Sequence, residues 1–463
     1  MTKIYEVEHL HQPDGWLSPG YVEVGADGVI LSVSGTRPDG RPVERLGGFG
    51  VPGLSNLHSH AFQRALAGRT EFVTGARAED NLWTWRKEMY RLVDRLTPAT
   101  YEAIAALVYL EMLQFGMTAV CEFHYVHHMT GGGTHENPAE MSDRLIAAAD
   151  RTGLGLTLLP VLYAHGGIGK PVEATQRRFV HSVDDYLKLI DTLRGRRDAH
   201  RNLAVGLALH SLRAVTPDEA RAVLAGMQAM DADARLHIHV SETTHEVEEV
   251  KAGLGARPVQ WLLDNIGLDD RWCLVHATHL DAAEIAGAAA SGAVAGICPL
   301  TEATMGDGFF ALPEYHGAGG AWGIGTDSHY STSTAEELRI LECGKRLDLR
   351  RRNILARPQG GAPVHSGRAL FDTALAGGEQ ASGQGGGAIV AGRRADLVML
   401  DPESHVLLGH GPDTVLDAWL LGGTQNPVRD VMIGGRWVIR DGRHPEEEAI
   451  RTAYRAAAAR LFG

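Results

Sequence analysis

Two histidines separated by one residue, His58 and His60, are the first residues of this chain whose type and spacing suggest chemistry. They lie in the segment NLHSHAFQRALAGRTE, residues 56–71. Side chains two positions apart on a strand point to the same face, so both imidazoles could bind one metal ion. The alternative is chance, because the chain contains 23 histidines. The pair therefore predicts a metal site only if further ligands stand at the ends of other strands.

Further candidate ligands do stand where other strand-like runs end. The run RLHIHVSE carries His239 and, three residues later, Glu242, while RWCLVHATHL carries His276 and WGIGTDS carries Asp327. Each residue has an ordinary alternative role, as a packed histidine, a hydrogen-bonding histidine or an aspartate that caps a helix. In a barrel of parallel strands, however, the carboxyl ends of all strands meet at one mouth. We therefore interpret these residues as parts of one site.

Eight short apolar runs between residue 50 and about residue 330 alternate with amphipathic segments such as ATYEAIAALVYLEMLQF. Short apolar runs are typical of buried strands, and apolar residues three and four apart are typical of helices. Eight strand–helix units predict an α/β fold with a (β/α)8 barrel rather than an open sheet. The runs are VPGLSNLHSHA, GMTAVCEFHYVH, GLGLTLLPVLYAH, LAVGLALHSLRAV, RLHIHVSE, RWCLVHATHL, AVAGICPL and AWGIGTDSHY.

Both ends of the chain are glycine-rich and strand-like. GRRADLVMLD and VRDVMIGGRWVIRDGR alternate in the manner of antiparallel hairpins, with Gly434 and Gly435 at a turn. We predict a small β-sandwich built from residues 1–50 and 378–463, the latter with the terminal helix EEEAIRTAYRAAAARLF, beside a catalytic barrel at 51–377. The stretch GGEQASGQGGGAIVAGRR predicts a flexible connection, because no phosphate-binding G-x-x-x-x-G-K-[ST] motif follows it.

The composition, 44% hydrophobic and 22% charged over 463 residues, is typical of a soluble globular protein. A net charge of −13 without a concentrated basic face argues against nucleic-acid binding. The sequence has no basic-then-apolar leader and no run of about 18 apolar residues, so we expect a cytoplasmic protein without a membrane segment. The 4 cysteines are far apart, which predicts buried free thiols rather than disulfides.

The order of the candidate ligands resembles the amidohydrolase superfamily, with H-x-H, then H-x-x-E, then His, then Asp on successive strands. Within that superfamily, four segments are similar to the formimidoylglutamate deiminases, and the similarity runs over most of the chain. They are HSHAFQRALAGRTE, LWTWRKEMY, HSLRAV and TAEELRILECGKRL. The resemblance implies hydrolytic deimination of N-formimino-L-glutamate to N-formyl-L-glutamate and ammonia, a step of histidine degradation, by a homodimer.

The superfamily pattern implies four metal ligands: His58, His60, His239 and Asp327. His237 is a competing candidate, but the pattern selects His239 because Glu242 follows three residues later. Three imidazoles and one carboxylate suit zinc, with iron and manganese as alternatives. Binuclear members use a lysine on the fourth strand, and LAVGLALHSLR contains none. The resemblance therefore implies one divalent metal ion per subunit, with Zn²⁺ favoured.

The resemblance also implies roles in catalysis and substrate binding. His276 and Asp327 would take the proton of the attacking water, and Glu242 would protonate the substrate nitrogen. The substrate carries two carboxylates, and the planar guanidinium of Arg213 would bind one of them in a forked geometry. The implied substrate-binding residues are Gln63, Arg86, Tyr125, His210 and Arg213.

Several of these residues have ordinary alternative roles. Arg86 would also suit a helix surface, Tyr125 core packing and Gln63 the capping of a loop, and we expect Trp83 and Trp85 in the core. Other features stay open as well. After the last predicted ligand the segment SHYSTSTAEELR differs from the loop expected in this family. Ser328 and His329 could contact substrate, and His329 could equally face solvent. His124, His127 and His128 could support the metal ligands or lie in a loop, and residues 128–138 could form a mobile loop over the mouth or a flexible linker.

Two other functions compete with the deiminase. A deaminase of the same superfamily, acting on guanine, cytosine or an adenosine derivative, would need flat aromatic or apolar walls and amide-type base readers. A catalytically inactive barrel used as a scaffold would usually lack the metal ligands, all of which are present here.

Overall fold

The structure is a computed structural model that describes residues 2–73, 80–357 and 363–463. The amino end forms five strands before the barrel begins. They are β1 Lys3–Gln12, β2 Gly15–Leu17, β3 Gly20–Val24, β4 Ile30–Ser34 and β5 Glu44–Val51. Strand β5 leads within three residues into the first barrel strand, Leu54–Ser59, so the two sheets are joined by a very short connection.

The predicted (β/α)8 barrel is confirmed, because every apolar run contains a parallel strand and the fourth strand is only interrupted at Gly206. The barrel strands are β6 Leu54–Ser59, β7 Met117–His124, β8 Gly155–Leu162, β9 Leu203–Val205, β10 Leu207–Leu209, β11 Leu236–Val240, β12 Trp272–His276, β13 Val294–Ile297 and β14 Ala321–Ile324. Strands β7 and β8 are buried along their whole length, as expected when helices cover a parallel sheet outside and side chains fill it inside.

Helices connect the barrel strands, and their ends carry capping residues. Helix α2 starts at Pro98, where the side chain of Thr97 accepts the N–H of Thr100, and α3 ends at Gly153, whose φ is 79°. The helices up to the end of the barrel are α1 Leu82–Arg95, α2 Pro98–Gln114, α3 Glu140–Thr152, α4 Val183–Arg194, α5 Pro217–Met230, α6 Thr244–Leu254, α7 Pro258–Asn265, α8 Ala282–Ser291, α9 Pro299–Met305, α10 Leu312–Gly317, α11 Thr334–Leu349 and α12 Ser366–Ser382. None of the described helices is long and apolar enough to cross a membrane.

The chain ends meet as predicted in a second sheet. The carboxyl-terminal elements are β15 Leu397–Leu400, α13 Val415–Asp417, β16 Val428–Ile433, β17 Arg436–Ile439 and α14 Glu447–Phe462. The strands pair in the order β17-β16-β15-β5-β1-β3-β4, with β2 on β1, and share a hydrophobic cluster of their own. Gly434 and Gly435 form the predicted turn between β16 and β17, with φ values of 53° and 77°.

The glycine-rich stretch at 377–394 differs from the predicted flexible connection, because its first part belongs to α12, which continues to Ser382. A Cβ at Gly377 would collide with the carbonyl oxygen of Trp322, and one at Gly378 would lie 3.3 Å from the carbonyl oxygen of Ser55. These glycines therefore allow α12 to pack directly on the backbones of β14 and β6. The composition reflects close packing rather than chain flexibility in this part.

The barrel is closed between β6 and β14 by backbone hydrogen bonds just beyond the end of β14. The amides of Thr326 and Asp327 donate to the carbonyl oxygen of His58 over 3.1 and 2.9 Å, and the amide of His60 donates to that of Asp327 over 3.2 Å. Gly325 makes this approach possible, since a Cβ there would lie 2.7 Å from the Cβ of His58 and 2.9 Å from its nitrogen. The hydrogen bonds that close the barrel therefore also fix the candidate ligands relative to one another.

Gly325→Ala is expected to destabilise the protein by about 1–3 kcal/mol, because the added methyl group must push two closely packed strands apart. Denaturant unfolding of the purified chain measures this change. Gly411→Ala is the matched control, since a Cβ at Gly411 meets nothing within 4 Å. Equal unfolding midpoints for the two variants would contradict the role of Gly325 in closure.

Candidate metal centre and active site

Three imidazole nitrogens meet at the carboxyl end of the barrel. The Nε2 atom of His58 lies 3.1 Å from that of His60 and 3.0 Å from that of His239. His58 and His60 alternate along β6 and its end, and His239 comes from β11, across the barrel mouth. All three side chains are buried. The sequence prediction that these residues come together agrees with the geometry.

Asp327 adds a carboxylate to the three imidazoles. Its Oδ1 lies 3.3 Å from Nε2 of His58 and 3.4 Å from Nε2 of His60. His58, His60 and His239 form one group whose donor atoms could hold a metal ion, and His58, His276 and Asp327 form another. Buried charges are stable only when paired or coordinated, and this set of donors offers coordination.

Backbone carbonyl groups fix the tautomers of two imidazoles. Nδ1 of His60 lies 2.8 Å from the carbonyl oxygen of Phe123, and Nδ1 of His239 lies 2.9 Å from that of His210. A proton on each Nδ1 donates to the carbonyl oxygen and leaves a lone pair on Nε2. Burial also lowers the pKa of His58 and of His239 well below the usual value, so these imidazoles stay neutral. Neutral imidazoles with converging lone pairs fit a divalent metal ion.

Strained backbone is concentrated at this end of the barrel. His276 and Asp327 adopt positive φ values of 68° and 46°, which non-glycine residues rarely do. Three more non-glycine residues near the site share this conformation: Ser241, Ala277 and His329. Such conformations persist only where surrounding structure holds them, and they cluster at functional sites.

A buried network supports the end of β6 from below. The hydroxyl of Ser59 donates to Oε2 of Glu122 over 2.5 Å, and its oxygen lies 3.0 Å from Nε2 of His329. Nδ1 of His329 lies 2.8 Å from Oγ1 of Thr326, and the amide of Ala61 donates to Glu122 over 2.8 Å. Burial raises the pKa of Glu122 to about 7. His329 is therefore a buried structural residue, and neither predicted alternative, a substrate contact or solvent exposure, describes it.

His276 lies beside the three imidazoles with a carboxylate on either side. Its Nε2 is 3.7 Å from Oε1 of Glu242 and 4.0 Å from Oδ2 of Asp327. Its Nδ1 is 3.4 Å from Oε1 of Glu302, a residue that sequence reasoning missed. The available signal was that the seventh apolar run, AVAGICPL, had no chemical residue assigned to its end, although Glu302 follows closely.

A cavity opens onto these residues. All five predicted substrate-binding residues line it: Gln63, Arg86, Tyr125, His210 and Arg213. Sequence reasoning missed most of the aromatic wall, which Trp85, Tyr90, Tyr163 and Phe179 form. Trp85 packs against the hydrophobic core, as expected, and also lines the cavity, as does Ser328.

Two guanidinium groups in the cavity form no ion pair with a carboxylate within the described parts of the chain, although the charge of Arg213 partly offsets the rise that burial causes in the pKa of the Glu246 carboxyl. Arg86 donates to the hydroxyl of Tyr90 over 2.7 Å, and its central carbon lies 5.0 Å from a ring centroid of Trp83. The central carbon of Arg213 lies 5.8 Å from that indole, and its Nε is buried without a hydrogen-bond partner. Trp83 thus contacts two cations and is not a core residue.

Gln63 and Tyr125 form a pair on the other side of the cavity. Nε2 of Gln63 donates to the hydroxyl of Tyr125 over 2.9 Å, while Oε1 of Gln63 is buried and has no partner among the residues described. A buried unpaired oxygen is costly unless a ligand donates to it. This geometry makes Gln63 a candidate acceptor for a substrate N–H group.

The remaining histidines lie away from the metal centre. Nε2 of His237 is 3.1 Å from the carbonyl oxygen of Ala381, so this side chain points toward the opposite end of the barrel. The cluster of His124, His127 and His128 packs around His181. No residue of 128–138 lines the cavity in the described structure; part of this loop lines a separate groove.

The sequence profile of the amidohydrolase family matches residues 49–438. The chain belongs to the amidohydrolase family. Amidohydrolases of known structure share its fold: a Brucella melitensis amidohydrolase is 41% identical with a TM-score of 0.93 and full coverage of both chains. A zinc-bound Xanthomonas campestris adenosine deaminase is 22% identical with a TM-score of 0.81, covering 99% of this chain and 98% of its own.

Among characterised amidohydrolases and their relatives, formimidoylglutamate deiminase of Pseudomonas aeruginosa is 50% identical over 457 residues, 98% of each chain. The 8-oxoguanine deaminase of the same species is 27% identical and covers 89% of this chain and 87% of its own. A 5-methylthioadenosine/S-adenosylhomocysteine deaminase of Natronomonas pharaonis is 28% identical, with coverage of 89% and 86%.

His239→Asn is expected to lower metal affinity by more than about 100-fold, since changes of residues outside the coordination shell already cost 10–100-fold. Competition with a chelator, followed by elemental analysis, measures the affinity. His237→Asn is the matched control on the same strand, and it should retain the metal. Loss of metal from the His237 variant alone would show that the wrong histidine has been assigned.

Proposed function

We propose that the protein catalyses hydrolytic deimination of N-formimino-L-glutamate to N-formyl-L-glutamate and ammonia. The observation that carries this proposal is that two guanidiniums, Arg86 and Arg213, line the cavity that opens onto the imidazole–carboxylate cluster and form no ion pair with any described residue. The substrate has two carboxylates, so its charge matches this cavity. The 50% identity to a formimidoylglutamate deiminase supports the same substrate.

The residues that would hold the metal are His58, His60, His239 and Asp327, and their nitrogen and oxygen donors favour Zn²⁺. We propose one ion per subunit. When bound, a divalent metal supplies a hydroxide nucleophile at neutral pH by lowering the pKa of water toward about 7.

The reaction replaces the terminal nitrogen of the formimino group by oxygen. Water adds to the formimino carbon, and His276 and Asp327, whose atoms face each other over 4.0 Å, take up its proton. Glu242, 3.7 Å from His276, delivers a proton to the terminal nitrogen. The carbon then carries one hydroxyl and two nitrogens. His276 or Asp327 takes the hydroxyl proton and returns it to the terminal amino group, whose bond to carbon breaks to release ammonia as the C=O of the formyl group forms.

Substrate orientation follows from the polar groups around the cavity. Arg213 would bind one carboxylate through paired N–H donors, and Arg86 would bind the other. Gln63 would accept an N–H of the formimino group on its unpaired Oε1, with Tyr125 holding its amide in place. His210 would contact the substrate beside Arg213. Binding at both ends holds the formimino carbon near the reacting residues.

A deaminase of nucleobases or nucleosides is the second candidate, and the aromatic wall of the cavity favours it. Trp85, Tyr163 and Phe179 offer flat surfaces suited to a purine or pyrimidine. Two guanidiniums without an ion pair among the described residues would serve no purpose for a neutral base, however, and they favour a substrate with two carboxylates. An inactive scaffold would have no need of a converged ligand set.

We also propose the domain bounds, the oligomeric state and the cellular location of the protein. Residues 1–50 and 378–463 would form the accessory domain, and 51–377 the catalytic barrel. The resemblance to formimidoylglutamate deiminases supports a homodimer in the cytoplasm.

Incubation of the zinc-loaded protein with N-formimino-L-glutamate is expected to yield N-formyl-L-glutamate and ammonia in equal amounts, identified by mass spectrometry. Water adds at the same carbon in either outcome, so the products report which C–N bond breaks. Guanine, cytosine and adenosine serve as parallel substrates. Turnover of one of these bases without turnover of N-formimino-L-glutamate, or release of glutamate and formamide, would refute the proposal.

Arg213→Gln is expected to lower kcat/KM for N-formimino-L-glutamate by about 10- to 150-fold, because a hydrogen bond to a charged group contributes about 1.5–3 kcal/mol. Steady-state ammonia release measures the effect, most of which should appear in KM. Arg221→Gln is the control, since Arg221 pairs with Asp218 on the exposed face of α5. An unchanged KM in the Arg213 variant would remove this residue from the substrate site.

A further inference from the structure

We infer that Glu302 is a positioning residue for His276. Glu302 does not line the substrate cavity, and it belongs to none of the residues that the sequence patterns assign a role. Its carboxylate lies on the side of the imidazole that faces away from the reacting groups. The inference rests on the proposed function only for the substrate used to measure turnover.

Both the carboxylate and the backbone of Glu302 are hydrogen-bonded to Cys298. Its Oε1 accepts the backbone N–H of Cys298 over 2.9 Å, while its own backbone N–H donates to the carbonyl oxygen of Cys298 over 2.9 Å. Cys298 directly follows β13, and Glu302 lies on α9, one helical turn further on. With 3% of its surface exposed, the Glu302 side chain has little room to move. The end of β13 thus fixes this carboxylate.

The fixed carboxylate of Glu302 contacts the Nδ1 edge of the His276 ring. Oε1 of Glu302 lies 3.4 Å from Nδ1 of His276, while Nε2 of the same ring faces Glu242 and Asp327. A proton on Nδ1 that points at a carboxylate sets the tautomer and leaves the lone pair on Nε2, where a proton is to be accepted. His276 has a positive φ of 68°, and Glu302 is the carboxylate that contacts its Nδ1, with the Cys298 side chain also close to the ring.

The same cluster also has the spacing of a second metal site, because donor atoms of His276, Cys298 and Glu302 lie within 4.8 Å of one another. Two features favour the hydrogen-bond role instead. Oε1 of Glu302 already accepts the N–H of Cys298. Burial raises the pKa of the Cys298 thiol, and a metal would need the thiolate.

Glu337 provides a matched control for a test of this inference. It is also a buried glutamate, and its Oε2 accepts the backbone N–H of Leu300 in α9 over 3.0 Å. Both glutamates therefore brace the first turn of α9, but only Glu302 contacts His276. A purely structural role would affect the two positions alike.

The experiment compares Glu302→Leu, Glu302→Gln and Glu337→Leu in the zinc-loaded enzyme. Glu302→Leu should lower kcat by about 10- to 100-fold, the usual range for residues that orient a functional group, with KM and one metal per chain retained. Glu302→Gln keeps an oxygen that can accept both N–H groups, so its loss of kcat should be smaller. Glu337→Leu should keep its kcat.

A second readout does not depend on substrate. The proton between Nδ1 and Glu302 should give a downfield imidazole N–H resonance in NMR spectra, absent from His276→Asn and from Glu302→Leu. If the wild type shows this resonance but releases no ammonia from N-formimino-L-glutamate, the proposed function fails and the positioning role stands. If Glu302→Leu does not fold, the experiment uses Glu302→Asp instead, because the aspartate side chain is one methylene too short to contact His276.

Four results would overturn the inference. They are an unchanged kcat in Glu302→Leu, equal losses in Glu302→Leu and Glu337→Leu, an equal loss in Glu302→Gln and Glu302→Leu, or a resonance that survives Glu302→Leu. Two metal ions per wild-type chain, with one lost in Glu302→Leu, would establish the second metal site in its place.

Discussion

The backbone hydrogen bonds between the end of β6 and the residues after β14 are the constraint on which the rest of the site depends. They join the carbonyl oxygen of His58 to the amides of Thr326 and Asp327, and the amide of His60 to the carbonyl oxygen of Asp327. Every residue that closes the barrel here is a candidate ligand or lies next to one. The positions of three ligands therefore cannot vary independently of one another, and Gly325 is needed because two backbones meet at this point.

The closure of the barrel between β6 and β14 also explains why strained backbone and buried polar groups are concentrated at this end of the barrel. Strands of a barrel diverge beyond their last paired residue, and side chains there must turn inward to reach a common centre. The left-handed φ values of His276 and Asp327 make that turn, and the Ser59–Glu122–His329 network holds the seam from below. Polar groups that would be costly in an apolar core are each satisfied by a partner in the network. The same contacts that stabilise closure thus orient the ligands.

Sequence patterns predicted the barrel and the convergence of the candidate ligands because both rest on local rules. Strand periodicity and the convergence of strand ends bring His58, His239 and Asp327 to one mouth, while the choice of His239 over His237 came from the family resemblance. Glu302 and the aromatic wall escaped prediction because their roles depend on contacts between distant elements, such as the approach of α9 to β12. The glycines of α12 were misinterpreted for the same reason. A glycine gives the same sequence signal whether it makes the chain flexible or lets two elements pack closely. Only the position of β14 in the structure shows that the glycines of α12 serve close packing.

The cationic cavity is unexpected in a chain with a net charge of −13, and its construction explains how it persists. A half-buried guanidinium without a carboxylate would normally be destabilising, yet the faces of Trp83 and Tyr90 compensate part of that cost for Arg86. Aromatic rings cannot neutralise the charge, so the attraction for an anion remains. The surrounding apolar surface lowers the local dielectric and strengthens that attraction. Within the described residues, the two guanidiniums therefore offer an anionic ligand two positive charges inside a protein whose overall charge is negative.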